Sequence, residues 1–208
     1  MASKSVALIT MSTRGVRVGP NVAAFVNTVV EKPLGEANIT VSPVDLGKFN
    51  LPVYNESVIP AMVPEKAQFQ YEHSKAWSAE ISKHDGYILV IPEYNYGVAG
   101  GTKNAIDYLV NEWKGKPVVI VSYGVQGGTK ANEQVKDCLT GVGLNVCETR
   151  PTLAFSGGRG PDLFAAIEGK LGDNSKKEWE AGGDIAKAAR ELKDILSQPN
   201  VEENVAKV

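Results

Sequence analysis

The sequence predicts an α/β protein in which helices cover both faces of a parallel β-sheet. Short β-rich apolar runs alternate with longer helical patterns along the chain, which is typical of right-handed βαβ units. Two of these runs, Tyr87–Ile91 and Val118–Val121, are apolar without alternation. A strand that is buried on both faces requires such a run, so the sheet is expected to be parallel and covered on both sides.

Five strands are predicted, with helices between and after them. The strands are expected at Val6–Thr10, Asn38–Leu46, Gly86–Ile91, Pro117–Ser122 and Leu144–Glu148. Pro20 favours the start of a first helix, whose apolar residues between Val22 and Val30 fall on one face. Further helices are expected over Glu65–Lys83, from a capping Thr102 as far as Trp113, over Thr129–Thr140 and over Lys176–Ser197.

Length and composition predict one domain over residues 1–198 and a polar, loosely ordered tail over residues 199–208. A chain of 208 residues corresponds to about 1.4 domains at roughly 150 residues each. Hydrophobic residues make up 43% and charged residues 22%, an ordinary globular composition that excludes disorder, collagen and coiled coil.

The net charge and the cysteine content indicate which partners and which cellular compartment to expect. The formal net charge is −2 and the basic residues are scattered, so nucleic-acid binding is disfavoured. The two cysteines cannot form a disulfide framework, which favours a reducing compartment. The apolar run Val6–Ile9 is too short for a signal peptide or a membrane span. A cytoplasmic protein without membrane association is therefore expected.

In an open parallel sheet, ligands bind beyond the carboxyl ends of the strands, where the strand order switches. The first segment there, Met11–Asn21, contains hydroxyl groups, two arginines and two glycines and leads into the N-terminus of a helix. This combination favours the binding of a phosphate group. It matches neither the phosphate loop of nucleoside triphosphatases nor the glycine pattern of Rossmann dinucleotide sites, which disfavours both classes. The alternative is a solvated loop with capping hydroxyls.

Two more segments follow strands at the same edge. The second segment, Pro92–Thr102, places polar aromatic residues beside an asparagine, which suits a planar heterocycle. Its alternative is a turn whose tyrosines shield the core. The third segment, Ser122–Thr129, has three glycines that let the backbone approach a ligand closely, although such loops also serve as plain turns.

Three motifs in these segments resemble the NADPH-dependent FMN reductases, within the flavodoxin-like group that includes quinone and azo-dye reductases. They are S-T-R-x-x-R at residues 12–17, P-x-Y-N-x-G at residues 92–97 followed by K-N-A-I-D at 103–107, and S-Y-G at 122–124. The resemblance covers residues 6–155. It implies a flavodoxin-like three-layer sandwich with a five-stranded parallel sheet of order 2-1-3-4-5, and it implies a homodimer.

The resemblance also implies that three segments hold FMN. The residues it places at the phosphate are Ser12, Arg14 and Arg17, with Asn21 and Val22 at the helix start. Those expected along the isoalloxazine are Pro92, Glu93, Tyr94, Asn95, Tyr96 and Gly97, and those at the pyrimidine side are Ser122, Tyr123 and Gly124. Relatives often carry glycine and histidine where this chain has Val125 and Gln126, so no role is assigned to Gln126.

The function implied is an FMN-dependent NAD(P)H oxidoreductase that reduces quinones, azo compounds or free flavin, with the two substrates binding alternately. The flavin would perform the redox chemistry, so no catalytic side chain and no metal are predicted. One alternative is a flavodoxin-like electron carrier, against which the two arginines of the first segment and the small net charge argue. Another is a sensor that binds a protein partner according to the flavin redox state. The choice between NADH and NADPH stays open.

Overall fold

The computed structural model describes residues 3–198, which form a sheet between two layers of helices. In chain order the elements are β1 (Lys4–Thr10), α1 (Gly19–Gly35), β2 (Ile39–Asp45), α2 (Glu72–Ser82), β3 (Gly86–Tyr94), β4 (Gly97–Val98), α3 (Gly100–Asp107), β5 (Pro117–Gly124), α4 (Thr129–Gly141), β6 (Asn145–Val146), β7 (Thr152–Ala154), α5 (Pro161–Ile167), α6 (Asp173–Gly182) and α7 (Asp184–Ser197). Short 3-10 turns lie at Leu46–Phe49 and Pro60–Met62.

The strand order along the sheet is β2-β1-β3-β5-β6, and these neighbours pair in parallel. Leu8 of β1 lies beside Ile88 of β3, which in turn lies beside Val119 of β5. The two-residue strand β4 pairs antiparallel with the end of β3, and β7 pairs in parallel with the end of β5. Setting β4 and β7 aside, this is the predicted order 2-1-3-4-5, and the predicted flavodoxin-like α/β class is confirmed.

The core consists of two apolar layers, one on each face of the sheet. Side chains alternate along the central strands, so Ile88 faces the layer under α1 and α7 whereas Leu89 faces the layer under α2, α3 and α4. Trp77 and Trp113 are fully buried in the second layer. Because both faces of β3 and β5 are covered, these strands carry the unbroken apolar runs that predict them.

Two predicted helices are shorter than expected. The helix expected over Glu65–Lys83 begins at Glu72, because the backbone N–H groups just before it bond to the buried carboxylate of Glu56 rather than within a helix. The helix expected from Thr102 to Trp113 runs over Gly100–Asp107, and the N–H of Val110 bonds to the carboxylate of Glu112.

The carboxyl-terminal third differs most from the prediction. The expected strand Leu144–Glu148 is reduced to β6, since the N–H groups of Glu148 and Thr149 bond to the carboxylate of Glu191 instead of extending the ladder. The expected helix Lys176–Ser197 is divided into α6 and α7 at Gly183, whose φ of 72° ends the first of them. Helix α5 was not predicted.

No helix within residues 3–198 is both long and apolar enough to cross a membrane. The tail predicted over residues 199–208 lies outside the described residues.

Candidate functional site

The three segments meet at one edge of the sheet because β1, β3 and β5 are neighbours that run in the same direction. A cavity of about 230 Å³ opens between them. Its walls include Arg14 and Arg17 of the first segment, Pro92, Glu93 and Tyr94 of the second, and Tyr123 and Gly124 of the third. The structure therefore brings together seven of the residues predicted at the site.

Two buried hydroxyl groups face the start of helix α1 beneath this cavity. The side chain of Ser12 is fully buried and Tyr123 is nearly so, and neither hydroxyl has a hydrogen-bond partner of good geometry within the described part of the chain, although the two hydroxyls lie close to each other. Both lie against Gly19, where a β-carbon would come within 2.1 Å of Ser12 Oγ and 2.8 Å of the Tyr123 hydroxyl. An unpartnered buried hydroxyl costs about 1–3 kcal/mol, so two at a helix N-terminus indicate a site for a ligand that accepts hydrogen bonds.

Burial raises the pKa of Tyr123, which keeps its hydroxyl protonated near neutral pH. A protonated phenol can donate a hydrogen bond to an anion. The hydroxyl of Ser12 offers a second donor at the same place.

Arg17, predicted at the phosphate, forms an ion pair with Asp45 at the end of β2. Its two terminal nitrogens lie 3.0 and 2.8 Å from the two carboxylate oxygens of Asp45, and one of them also donates to the carbonyl of Ser12 at 2.9 Å. The pair therefore holds the backbone of the first segment at Ser12. A direct contact of Arg17 with a phosphate stays a prediction.

The Arg17–Asp45 pair predicts a pH dependence of stability. Burial alone would raise the pKa of Asp45, but hydrogen bonds from Arg17 and from the N–H of Gly47 outweigh it and hold the pKa below its ordinary value. A lowered folded-state pKa stabilises the fold above the unfolded pKa and loses that effect as the pH falls through the folded value. Asp45→Asn is expected to lower the free energy of unfolding by about 1–2 kcal/mol at pH 7. In denaturant titrations the difference between variant and parent should shrink below about pH 4.

Arg14, from the same segment, also lines the cavity. Its guanidinium carbon is 3.4 Å from the centroid of the Tyr94 ring, and no carboxylate within the described residues pairs with it. An arginine that stacks on an aromatic ring keeps its N–H donors free at the edge of the guanidinium plane. Arg14 is therefore the cation of the cavity that remains available to an anion.

Glu93 and Ser122, both predicted to contact the flavin, make structural hydrogen bonds. The carboxylate of Glu93 accepts from the N–H groups of Lys130 and Ala131 in the first turn of α4, at 2.9 and 3.1 Å. The hydroxyl of Ser122 is buried, donates to the carbonyl of Gly127 and accepts from Asn132. These bonds fix the second and third segments relative to each other and to α4.

The remaining predicted residues do not line the cavity and lie either in elements that support it or in an exposed turn. Asn21 donates to the carbonyl of Gly169, and Val22 is fully buried in the core. Gly97 lies beside Gln134. Asn95 and Tyr96 form the exposed turn between β3 and β4, and Lys130 lies over the Tyr96 ring at 5.0 Å.

The turn between β3 and β4 holds a tyrosine in an unusual conformation. Asn95 and Tyr96 have φ values of 49° and 62°, and a type I′ hairpin turn requires positive φ at both central positions. Asparagine tolerates this region, whereas for other side-chain-bearing residues it costs about 1–2 kcal/mol. Tyr96→Gly is therefore expected to raise the free energy of unfolding by about 0.5–1 kcal/mol after the entropic cost of glycine. Chemical denaturation checks this, with Asn95→Gly as the variant expected to change little.

Several residues that line the cavity were not predicted. They are Val16, Val18, Val125, Phe155, Leu163, Ala166 and Ile167. Three of them lie on α5, the helix that follows a glycine-rich turn and packs beside the first segment. Its run L-F-A-A-I at residues 163–167 is the one sequence signal that could have indicated an apolar element there.

Comparison with known families shows which family the chain belongs to. The sequence model of the family described as NADPH-dependent FMN reductase matches residues 5–158, about three quarters of the chain and all three segments. The chain belongs to this family. Its predicted resemblance is thus confirmed.

The family assignment agrees with individual relatives. The chain is 50% identical over 199 residues to an NAD(P)H-dependent FMN reductase of a Nectria species, covering 93% of this chain and 98% of the relative. It is 37% identical over 145 residues to an NAD(P)H-dependent FMN reductase of Saccharomyces cerevisiae, covering 68% and 76%. It is 35% identical over 155 residues to a quinone reductase of Pseudomonas putida, covering 71% and 76%.

Solved structures show the same fold at low sequence identity. A flavoenzyme NAD(P)H:(acceptor) oxidoreductase of Paracoccus denitrificans superimposes with a TM-score of 0.65 at 21% identity, covering 92% of this chain and 98% of that one. An archaeal flavodoxin superimposes with a TM-score of 0.53 at 12% identity, covering 93% and 99%.

The residues at the sheet edge fit FMN, the flavin of the family. The unpartnered hydroxyls beside Gly19 suit a phosphate, and the cavity above them joins aromatic and apolar walls to backbone groups of the second and third segments. Within residues 3–198 no cluster of three or more His, Cys, Asp or Glu side chains could hold a metal ion.

Proposed function

We propose that the chain is an NAD(P)H-dependent FMN reductase that keeps FMN as a bound cofactor and reduces small electron acceptors. Quinones are the first class of acceptor, because quinone reductases are among its relatives at 35% identity. Azo compounds and free flavin are further candidate acceptors. The proposal includes alternating binding of the nicotinamide and the acceptor, and a homodimer.

The observation that supports a bound cofactor is the pair of buried, unpartnered hydroxyls of Ser12 and Tyr123 beside Gly19. If flavin bound only briefly as a substrate, the site would be empty most of the time, and the cost of burying these hydroxyls without partners would not be offset. A phosphate that remains in place satisfies both donors. The guanidinium of Arg14 lines the same cavity and would add charge-assisted hydrogen bonds to the phosphate.

The protein residues bind and orient while the cofactor supplies the redox chemistry. When bound, FMN supplies hydride transfer between nicotinamide and acceptor. The Arg17–Asp45 pair holds the first segment, and Glu93 ties the second segment to the amino-terminal end of α4. The first-turn N–H groups of α4 are taken by Glu93, so their role is to hold the second segment against α4 where it lines the cavity. Burial raises the pKa of Tyr94 although Arg14 opposes it, so this phenol stays a donor.

Alternating binding follows from one shared cavity. The cavity is lined by all three segments and by α5, and both the nicotinamide and the acceptor would have to reach a flavin held there. The oxidised nicotinamide would have to leave before the acceptor enters.

Steady-state kinetics test this proposal. The purified protein loaded with FMN should oxidise NADH or NADPH rapidly in the presence of a quinone, and double-reciprocal plots at several quinone concentrations should be parallel. Intersecting lines would exclude alternating binding. Oxidation no faster than that of free FMN at the same concentration would exclude the enzyme. Replacing the quinone by an azo dye or by excess FMN determines which other acceptors are used.

A further inference from the structure

Three exposed apolar side chains from separate parts of the chain border the mouth of the cavity. Val16 of the first segment is 67% exposed, Val125 of the third segment is 40% exposed, and Ile167 of α5 is 65% exposed. All three line the cavity. We call these three residues the apolar rim. Exposed apolar side chains that converge on one opening indicate a surface that binds something apolar.

The part of the rim on α5 lies outside the region that the family model matches, which ends at residue 158. Behind Ile167, the side chains of Leu163 and Ala166 extend the same wall into the cavity. This part of the wall therefore lies outside the region by which the family is recognised.

Helix α5 is held firmly in this position at both ends. Near its start, the buried carboxylate of Asp162 accepts hydrogen bonds from the N–H and the hydroxyl of Ser175, both at 2.7 Å. Just after its end, the carbonyl of Gly169 accepts from Asn21 at 2.7 Å. These bonds join α5 to α6 and to the first turn of α1, so the wall is preorganised.

The charged groups of the cavity lie away from the rim or are already engaged. Arg17 is paired with Asp45 and Glu93 bonds to the first turn of α4, while Arg14 is the cation that the proposed function assigns to the phosphate of FMN. An occupant of the rim consequently gains by burying apolar surface and finds no charge to neutralise there.

We propose that the apolar rim binds an apolar substituent of the electron acceptor and so selects quinones with an apolar side chain over quinones without one. The inference rests on the proposed function. The alternative occupant is a second copy of this chain. We favour the substituent, because Val16, Val125 and Ile167 line the same cavity as the residues expected to hold FMN, so an acceptor that reaches the flavin lies beside them.

Two quinones test the proposal: a dimethoxy-methyl-benzoquinone without a side chain, and the same ring bearing one isoprenyl group. The ratio of kcat/KM for the isoprenyl quinone to that for the bare quinone should exceed one in the parent. In Ile167→Ser this ratio should fall about three- to tenfold, the lower end of what loss of apolar contacts in a pocket costs. The matched control is Phe164→Ser. Phe164 is 63% exposed on the same helix but does not line the cavity, so the ratio should stay unchanged.

A binding measurement separates this inference from the proposed function. Dimethyl ethers of the two reduced quinones, which accept no electrons, are titrated by calorimetry in the absence of NAD(P)H. Tighter binding of the isoprenyl ether, weakened by Ile167→Ser and not by Phe164→Ser, supports the rim even if no quinone is turned over. An unchanged preference in Ile167→Ser overturns the proposal. Dissociation of an oligomer by Ile167→Ser, followed by sedimentation, would also overturn it by assigning the rim to a second copy.

Discussion

Replacing Gly19 by alanine is expected to abolish FMN binding and to destabilise the fold. The added methyl group would lie 2.1 Å from Ser12 Oγ and 2.8 Å from the Tyr123 hydroxyl, inside the space that these donors border. Ser12 and Tyr123 are both buried, so neither can move aside without disturbing the first segment or the end of β5. Overpacking of this kind costs about 1–3 kcal/mol, measurable as a lower free energy of unfolding. FMN affinity is measured by quenching of flavin fluorescence.

Gly15→Ala provides the control within the same segment. A β-carbon at Gly15 has no atom within 4 Å, so this variant should keep both its stability and its FMN affinity. If Gly19→Ala bound FMN as tightly as Gly15→Ala, the phosphate would not lie over Gly19.

Removing the free guanidinium by Arg14→Ala is expected to weaken FMN binding by about 1.5–3 kcal/mol, the range for a hydrogen bond to a charged group. This corresponds to a dissociation constant roughly 10- to 150-fold higher. The reason is that Arg14, unlike Arg17, has no carboxylate partner within the described residues and borders the cavity. Arg14→Lys should recover part of the loss, because the charge returns but the forked geometry does not.

Riboflavin, which lacks the phosphate, separates the two roles that Arg14 could have. If Arg14 acts on the phosphate, Arg14→Ala should leave riboflavin affinity nearly unchanged while FMN affinity falls. An equal loss for both ligands would instead assign Arg14 to the ring through its stack on Tyr94.

The central fold was predictable because its signals are local. The runs at Tyr87–Ile91 and Val118–Val121 are apolar at every position, and the structure buries both faces of β3 and β5. The position of the site followed from the same strands, since a parallel sheet places the segments after β1, β3 and β5 on one edge.

The partners of individual side chains were not predictable, because they lie far apart in the chain. Arg17 pairs with Asp45 at a separation of 28 residues, and Glu93 reaches the N–H of Lys130 at a separation of 37. No local pattern marks either contact, so Arg17 was assigned to a phosphate from the make-up of its segment and from the resemblance, and Glu93 to the flavin ring from the resemblance alone. The shortening of strand β6 has the same cause, because the carboxylate of Glu191 accepts a hydrogen bond from the N–H of Glu148, 43 residues earlier in the chain.

The most direct test of the central claim is the content and selectivity of flavin in the purified protein, read from its visible absorption spectrum and by titration. The account predicts about one FMN per chain after loading, retained on gel filtration because it is a cofactor. It also predicts much weaker retention of riboflavin, which cannot satisfy the hydroxyls of Ser12 and Tyr123. A colourless protein that takes up no FMN supplied in excess would contradict the account.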